Sequence, residues 1–499
     1  MRSFKTFAIA AALMGLASAS YAELQNVEVG GQIRIRANYY DGDDTFNDLS
    51  YVEQRTRLSV KADFTDEVSM FIELDEYGIW GDSLRSNYFT GADGDNAVAD
   101  EVSLYQAYIQ ADEMWGTPLR LRVGRQELSF GSEWLVGTND TSSGFWGLSF
   151  DAIRLDYITD EFSVAAFISH LAEGGGDGFL EDDVFFAGVY GSYTGLEDIT
   201  IDAYYMAVVD EDQGGTGLVP TAAYALGTYP IGRQWGVADP GFLAWNNPLD
   251  RNIEDTTIHT IGLRGAGTYG AFDFEAEIAY QFGQVEVHNP FNFFFWDIGQ
   301  TSDKEYGELG VNLGAGYTFD ASWTPRIGLG FAYFGGADEE NQASPFDWQE
   351  DLSFNRLFSN WEYSEFIENT DLSNAFIFTG SLSANPTEAI ALSLYAAYFM
   401  SDEEPDYGWF WNLWEDTDAH LGWELGLYAE YNYSEDLIFR AGFATFWAGD
   451  GYSYGGHDWP FGFLDRLGNA HTGNGLYSSA APDDNETYHY IYVETELKF

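Results

Sequence analysis

The sequence predicts an all-β chain: a transmembrane antiparallel up-and-down β-barrel of about eighteen strands. Three features point there. Apolar and polar residues alternate with period two through segment after segment, short corner turns alternate with long connections, and an export signal precedes a chain without an apolar run long enough for a membrane helix.

The export signal comes first. Arg2 and Lys5 precede an apolar run from Phe7 to about Ala17, followed by Ser20-Tyr21-Ala22, a small-x-small cleavage pattern. This reads as a secretory signal peptide over residues 1–22, leaving 23–499 as one barrel domain. With 33 Tyr, 39 Phe, 16 Trp and no Cys, the exported chain must build its core without disulfides. A barrel suits this composition, because lipid-facing apolar residues alternate with polar lumen residues. A soluble β-sandwich array would tolerate it too, so periodicity decides.

The formal charge is −60, and −62 once Arg2 and Lys5 are removed. Such acidity argues against nucleic acid or anionic lipid as partners, which favour basic surfaces. It fits solvated acidic loops, with specific cation binding as the sharper alternative.

The last segment is the clearest strand. From Tyr488 to Phe499, Ile491, Val493, Leu497 and Phe499 share one face, while Tyr490, Tyr492, Glu494, Glu496 and Lys498 share the other. An alternating final strand ending in Phe499 resembles the signal by which bacterial outer-membrane barrels reach their assembly machinery. The same template places strands near 27–40, 51–64, 68–80, 101–112, 119–131, 151–159, 161–170, 182–194 and 198–210. It continues at 257–270, 271–284, 305–319, 323–334, 371–384, 388–401, 420–433, 436–449 and 488–499.

The connections agree with that count. Thr65-Asp66-Glu67, Thr159-Asp160-Glu161, Gly195-Leu196-Glu197, Asp320-Ala321-Ser322, Asn385-Pro386-Thr387 and Ser434-Glu435 are short turns. Between them lie long outer loops near 81–100, 211–256, 285–304, 335–370, 402–419 and 450–485. Short turns opposite long loops is the asymmetry of outer-membrane barrels, and a barrel of this size leaves an aqueous channel.

The wall can then be read side by side. Ile33, Ile35, Ala37 and Tyr39 face lipid, so Arg34 and Arg36 face the lumen; Leu58, Val60 and Ala62 do the same for Arg55 and Arg57. If the hairpin is symmetric about Asp44 and Thr45 or nearby, Arg34 lies roughly opposite Arg57 and Arg36 opposite Arg55. Like charges directly opposite destabilise a strand pair, so four Arg together need a function or compensating acids. The next strand supplies Glu73 and Asp75, with Asp75 near Arg57. Arg120, Arg122, Arg154, Arg264, Arg326 and Arg440 also read as inward, while Arg125 breaks the alternation. Opposing acids are Asp273, Glu275, Glu277, Glu424, Glu430, Glu494 and Glu496. Two readings stand side by side: a selectivity lining whose Arg forks guide carboxylate or phosphate groups, or an ion-pair mesh that stiffens a wide barrel.

The stretch LRLRVGRQELSFG from Leu119, followed by Glu133-Trp134-Leu135-Val136-Gly137, resembles the alginate-export family of outer-membrane porins, as do GQIRIRANYY and YVEQRTRLSV near the start. The resemblance implies an eighteen-stranded monomeric pore in the bacterial outer membrane, with an Arg-rich lumen that conducts an anionic polysaccharide. By position it makes Arg34, Arg36, Arg55, Arg57, Arg120, Arg122 and Arg125 lining cations. The excess of acids in this chain broadens the solute to an anionic or neutral glycan or another small hydrophilic molecule. The partners are then the outer-membrane lipid bilayer, the barrel-assembly machinery and that solute.

Other motifs add little. The 211–256 loop, with Pro220, Tyr224, Tyr229, Trp235, Phe242 and Trp245, is apolar enough to enter the lumen or cap its mouth. Asn289 to Trp296 and Trp409 to Trp414 read as aromatic girdles at the bilayer interface. Asp41-Gly42-Asp43-Asp44 and Asp93-Gly94-Asp95 lack the spacing of a calcium loop, and no His pair has the HExxH spacing, so neither metal nor cofactor is expected. No nucleophile motif such as GxSxG supports catalysis. The alternatives to a pore are a structural or adhesion barrel with a filled lumen and, more remotely, an outer-membrane hydrolase.

Overall fold

The computed structural model describes residues 24–41, 49–81, 102–140, 145, 147–172, 183–210, 252–289, 292–293, 296–297, 300–336, 351–366, 372–403, 419–449 and 487–499. The signal-peptide segment, nearly all of the 211–256 loop, both acidic motifs beyond Asp41 and the 409–414 aromatic cluster lie outside these residues, as do the side chains of 289–296.

Eighteen strands form the wall: β1 (Asn26–Asp41), β2 (Leu49–Asp63), β3 (Val68–Ile79), β4 (Ser103–Ala111), β5 (Leu119–Gln126), β6 (Phe150–Ile158), β7 (Phe162–Ala172), β8 (Val184–Leu196) and β9 (Ile199–Asp210). They continue as β10 (Asn252–Tyr269), β11 (Phe272–Asn289), β12 (Leu309–Thr318), β13 (Arg326–Phe334), β14 (Ala375–Thr387), β15 (Ile390–Ser401), β16 (His420–Asn432), β17 (Leu437–Ala448) and β18 (Thr487–Lys498). A further strand, Gln300–Tyr306, pairs with the upper part of β11. Each wall strand pairs antiparallel with the next, and β18 pairs with β1, so the sheet closes and no edge is left open. Among the described residues no helix is long and apolar enough to cross a membrane; the strands do the spanning.

The seam runs from Gln32↔Lys498 to Asp41↔His489. Phe499 extends it, donating its N–H to Gly31 O at 3.1 Å and accepting from Gly31 N at 2.9 Å. Gly31 is required there, because a Cβ would lie 2.6 Å from both the Phe499 ring and Arg57 O.

Alternation places faces as the sequence predicts. In β18, Tyr490, Tyr492, Glu494 and Glu496 are buried inside while Ile491 and Val493 stand exposed outside. Outward aromatics pair along the wall: Tyr157 with Phe162, and Phe272 with Tyr317, beside short turns; Tyr398 with Trp423, and Phe443 with His489, on strands that lead to long loops.

One register differs from the expectation. Arg34 faces Arg55 and Arg36 faces Glu53, not Arg57 and Arg55. A shift of two residues leaves every side chain on its own face, and here it exchanges one like-charge opposition for an acid–base pair.

Candidate channel lining and constriction

The expected strand at 119–131 stops at Gln126, where the chain leaves the wall and enters the lumen. Gly131 and Glu133 adopt positive φ of 59° and 65°, turning the segment back on itself. Leu128, Trp134, Leu135 and Val136 are buried there, against inward aromatics of the wall; Phe130 stacks on Phe167 and Tyr190 at 5.2 and 5.0 Å. A second inward segment, 353–366, meets the first. Phe358 N donates to Leu135 O at 2.9 Å, Gly137 N to Phe358 O at 2.9 Å and Asn360 N to Glu133 O at 3.0 Å. Trp361 Nε1 adds a bond to Ser132 O at 2.6 Å, and Trp134 Nε1 one to the Tyr363 hydroxyl at 3.1 Å. The two segments satisfy each other's backbone groups, as polar groups withdrawn from water must be.

The wall anchors the second segment through side chains. The Gln281 amide acts like a neighbouring strand, donating to Asn355 O and accepting from Asn355 N, both at 2.6 Å. Glu424 accepts from the Ser364 hydroxyl at 2.5 Å and from Glu365 N at 3.1 Å. Arg356, itself inside the lumen, lies over the Phe334 and Tyr363 rings at 4.8 and 5.2 Å.

Against the first inward segment the inward Arg cluster is gathered. Arg34 and Arg36 from β1 share Glu494 of β18, at 3.0 and 2.6 Å. Arg440 of β17 reaches Glu494 at 2.7 Å, Glu496 at 2.5 Å and Glu430 at 2.9 Å. Arg55 and Arg57 of β2 instead hold Asp140, which comes from the first inward segment: Arg55 Nη1 donates to Oδ1 at 2.7 Å, and Arg57 Nη1 to Oδ2 at 2.9 Å. Arg57 also lies 3.5 Å from Asp75 and over the Tyr105 ring at 3.9 Å. Each of these five guanidinium groups therefore has a carboxylate oxygen within 3.0 Å, so the cluster offers directed donors rather than bare positive charge.

Phe145 seals the cluster, its ring 4.3 Å from Arg34 and its carbonyl accepting from Arg55. Gly147, at φ 74°, passes so close that a Cβ would collide with Arg57 and Tyr105. Burial would raise the Asp140 carboxyl, but hydrogen bonding from Arg55 and the charges of Arg55, Arg57 and Arg34 outweigh it, holding the group below the ordinary aspartate range.

The other predicted residues are placed as follows. Arg120 pairs with Asp112, Arg154 with Asp156, and Arg326 with Asp273. Arg264 pairs with Asp202 at 2.8 Å and Glu275 at 3.0 Å. Arg122 bonds Gln110 Oε1 and lies over the Tyr108 ring at 4.5 Å. Glu73 accepts from Gln106 at 2.8 Å. Arg125 is the departure: it points to the outer face beside Val123 and forms a two-pronged pair with Asp151 at 2.8 Å, away from the lumen. Alternation requires this, since Gly124 and Gln126 occupy the inward positions on either side.

A cavity of about 790 Å³ opens beside the cluster, bordered by Asp140, Trp361, Tyr363, Glu365, Glu424 and Arg440 among others. Asp140 itself had no sequence signal: it is one acid among 81 Asp and Glu, in a stretch that reads as ordinary connection.

The profile of the family described as alginate export matches residues 25–458. No curated protein sequence matches. Among solved structures, Pseudomonas aeruginosa OccK8 (OprE) is similar at TM-score 0.52 and 12% identity, covering 96% of this chain and 99% of its own. P. aeruginosa OpdQ aligns at TM-score 0.49 and 10% identity over 96% and 99% of the two chains. Acinetobacter baumannii OccAB3 does so at 0.49 and 11% over 95% and 100%.

Proposed function

The chain belongs to the alginate export family, forms a channel-type β-barrel of the bacterial outer membrane, and from that premise we propose that it passes a carboxylate-bearing glycan or a similar hydrophilic solute through its Arg-containing lumen. One observation carries the reading: guanidinium groups from β1 and β2 converge on a carboxylate, that of Asp140, at the edge of a 790 Å³ cavity. Arg forks at fixed separation match a carboxylate's two oxygens, which gives orientation as well as attraction.

The compensation of the cluster by Glu494, Glu496, Asp75 and Asp140 favours passage over tight retention. A solute that meets paired Arg must exchange with an existing acid partner, so it binds weakly enough to leave. Tyr395, Tyr428 and Trp361 on the cavity wall offer flat faces against which a sugar ring packs. The competing reading, a filled structural barrel, draws on the buried Trp134, Phe354 and Phe145 inside the lumen.

Block of ionic current by uronate oligomers tests the proposal. Current through the wild-type barrel should fall as oligomer is added, and Arg55→Ala with Arg57→Ala should weaken the block by about tenfold or more, the loss of one to two charge-assisted contacts. Equal block in both proteins would remove the Arg cluster from the path.

A further inference from the structure

We propose that Asp140 is a tethered occupant of a carboxylate site, and that a solute carboxylate binds Arg34, Arg55 and Arg57 by taking its place. The inference depends on the channel reading for the class of solute; the site itself stands on geometry.

Asp140 differs from every other acid of the cluster. Glu494 and Glu496 are wall residues whose positions follow from the register of β18 against β1. Asp140 arrives from a connection, and its two oxygens are spread over three guanidinium groups: Arg55 at 2.7 and 3.1 Å, Arg57 at 2.9 Å and Arg34 at 3.7 Å. That is the arrangement of a bound carboxylate ligand, built into the chain.

Access is one-sided. The side chains of Arg34, Arg55 and Arg57 are 5%, 1% and 7% exposed, whereas that of Asp140 is 25% exposed and borders the cavity. A solute in the cavity thus meets Asp140 first and reaches the guanidinium groups by displacing it. Donor capacity is left over: Arg55 Nε and Arg57 Nη2 are buried without a hydrogen-bond acceptor among the described residues. A ligand with more oxygens than one aspartate has donors to satisfy, and satisfying a buried donor is favourable. A uronate sugar brings a carboxylate with neighbouring hydroxyls.

Because the tethered group competes at high effective concentration, removing it should reveal the affinity of the site for free carboxylates. Asp140→Gly and Asp140→Asn barrels, refolded in detergent, would be titrated with sodium acetate and sodium glucuronate. Sodium chloride at equal ionic strength and acetamide serve as controls, with the thermal unfolding midpoint and the folded fraction as readouts. Carboxylate at about ten times its Kd should raise the folded-to-unfolded ratio of either variant roughly tenfold. The wild type should respond far less, and glucuronate should exceed acetate.

Equal responses to acetate and chloride, equal responses of variant and wild type, or failure of both variants to refold at any carboxylate concentration would overturn the proposal. The titration is done in detergent, and conduction of the same proteins is read separately in a planar bilayer. A barrel rescued by carboxylate that does not conduct would sink the channel reading and keep the site; a conducting barrel without rescue would do the reverse.

Discussion

Trp134 and Tyr363 meet inside the barrel, the indole Nε1 donating to the phenol oxygen at 3.1 Å, although 229 residues separate them in the chain. Their contact joins the two inward segments, and Trp134 also stacks with Phe334 of the wall at 5.7 Å. Removing a buried indole leaves a cavity and takes one hydrogen bond from the Tyr363 hydroxyl, a loss of about 3–5 kcal/mol. Trp134→Ala should therefore loosen the constriction while leaving the wall strands paired. Limited proteolysis within 353–366 should speed up, with unchanged far-ultraviolet circular dichroism.

Gln281 gives a second handle on the same element. Its amide forms both hydrogen bonds to the Asn355 backbone, and it is fully buried. Gln281→Leu keeps the bulk and removes both partners, so two part-buried backbone groups lose their bonds, at about 1 kcal/mol each or more. Hydrogen exchange at the Asn355 amide should accelerate about tenfold or more, the rate equivalent of that loss.

Acid should release the first segment. Asp140 has a carboxyl held below the ordinary range, so its contribution to stability is complete above the unfolded value near 3.9 and is lost as pH falls below it through the folded value. Fluorescence of the lumen tryptophans should change in that acid window. Asp140→Asn, which cannot titrate, should flatten the profile there.

The seam predicts a stability effect of its own. At Gly31 a Cβ would meet the Phe499 ring and Arg57 O at 2.6 Å. Gly31→Ala should weaken closure between β1 and β18 by about 1–3 kcal/mol, the usual effect of overpacking. The measurable result is a lower temperature for loss of the compact, heat-modifiable form on a gel.

These elements differ in how far the sequence reveals them. Wall strands are legible because a two-sided sheet enforces period two, and the sheet's closure follows from alternating connection lengths. Arg57 beside Asp75 is legible for the same reason, since facing positions follow from neighbouring hairpins. The inward segment after Gln126 is not. Leu128, Phe130, Trp134 and Leu135 are apolar whether they face lipid or fill a lumen, and period analysis extends the strand past its true end. Arg125 shows the converse: the family resemblance makes it a lining cation, yet its place in the alternation and its pairing with Asp151 keep it outside. Asp140 depends on a loop path, which no local pattern encodes.

Single-channel recording of the refolded barrel in a planar bilayer, with the reversal potential read in a salt gradient, tests the central claim most directly. The proposed passage of carboxylate-bearing solute predicts discrete open channels whose current uronate oligomers block, and a weaker block after Arg55→Ala with Arg57→Ala. A correctly folded barrel that inserts and carries no current would contradict it, and would leave the Trp134–Tyr363 constriction as a plug.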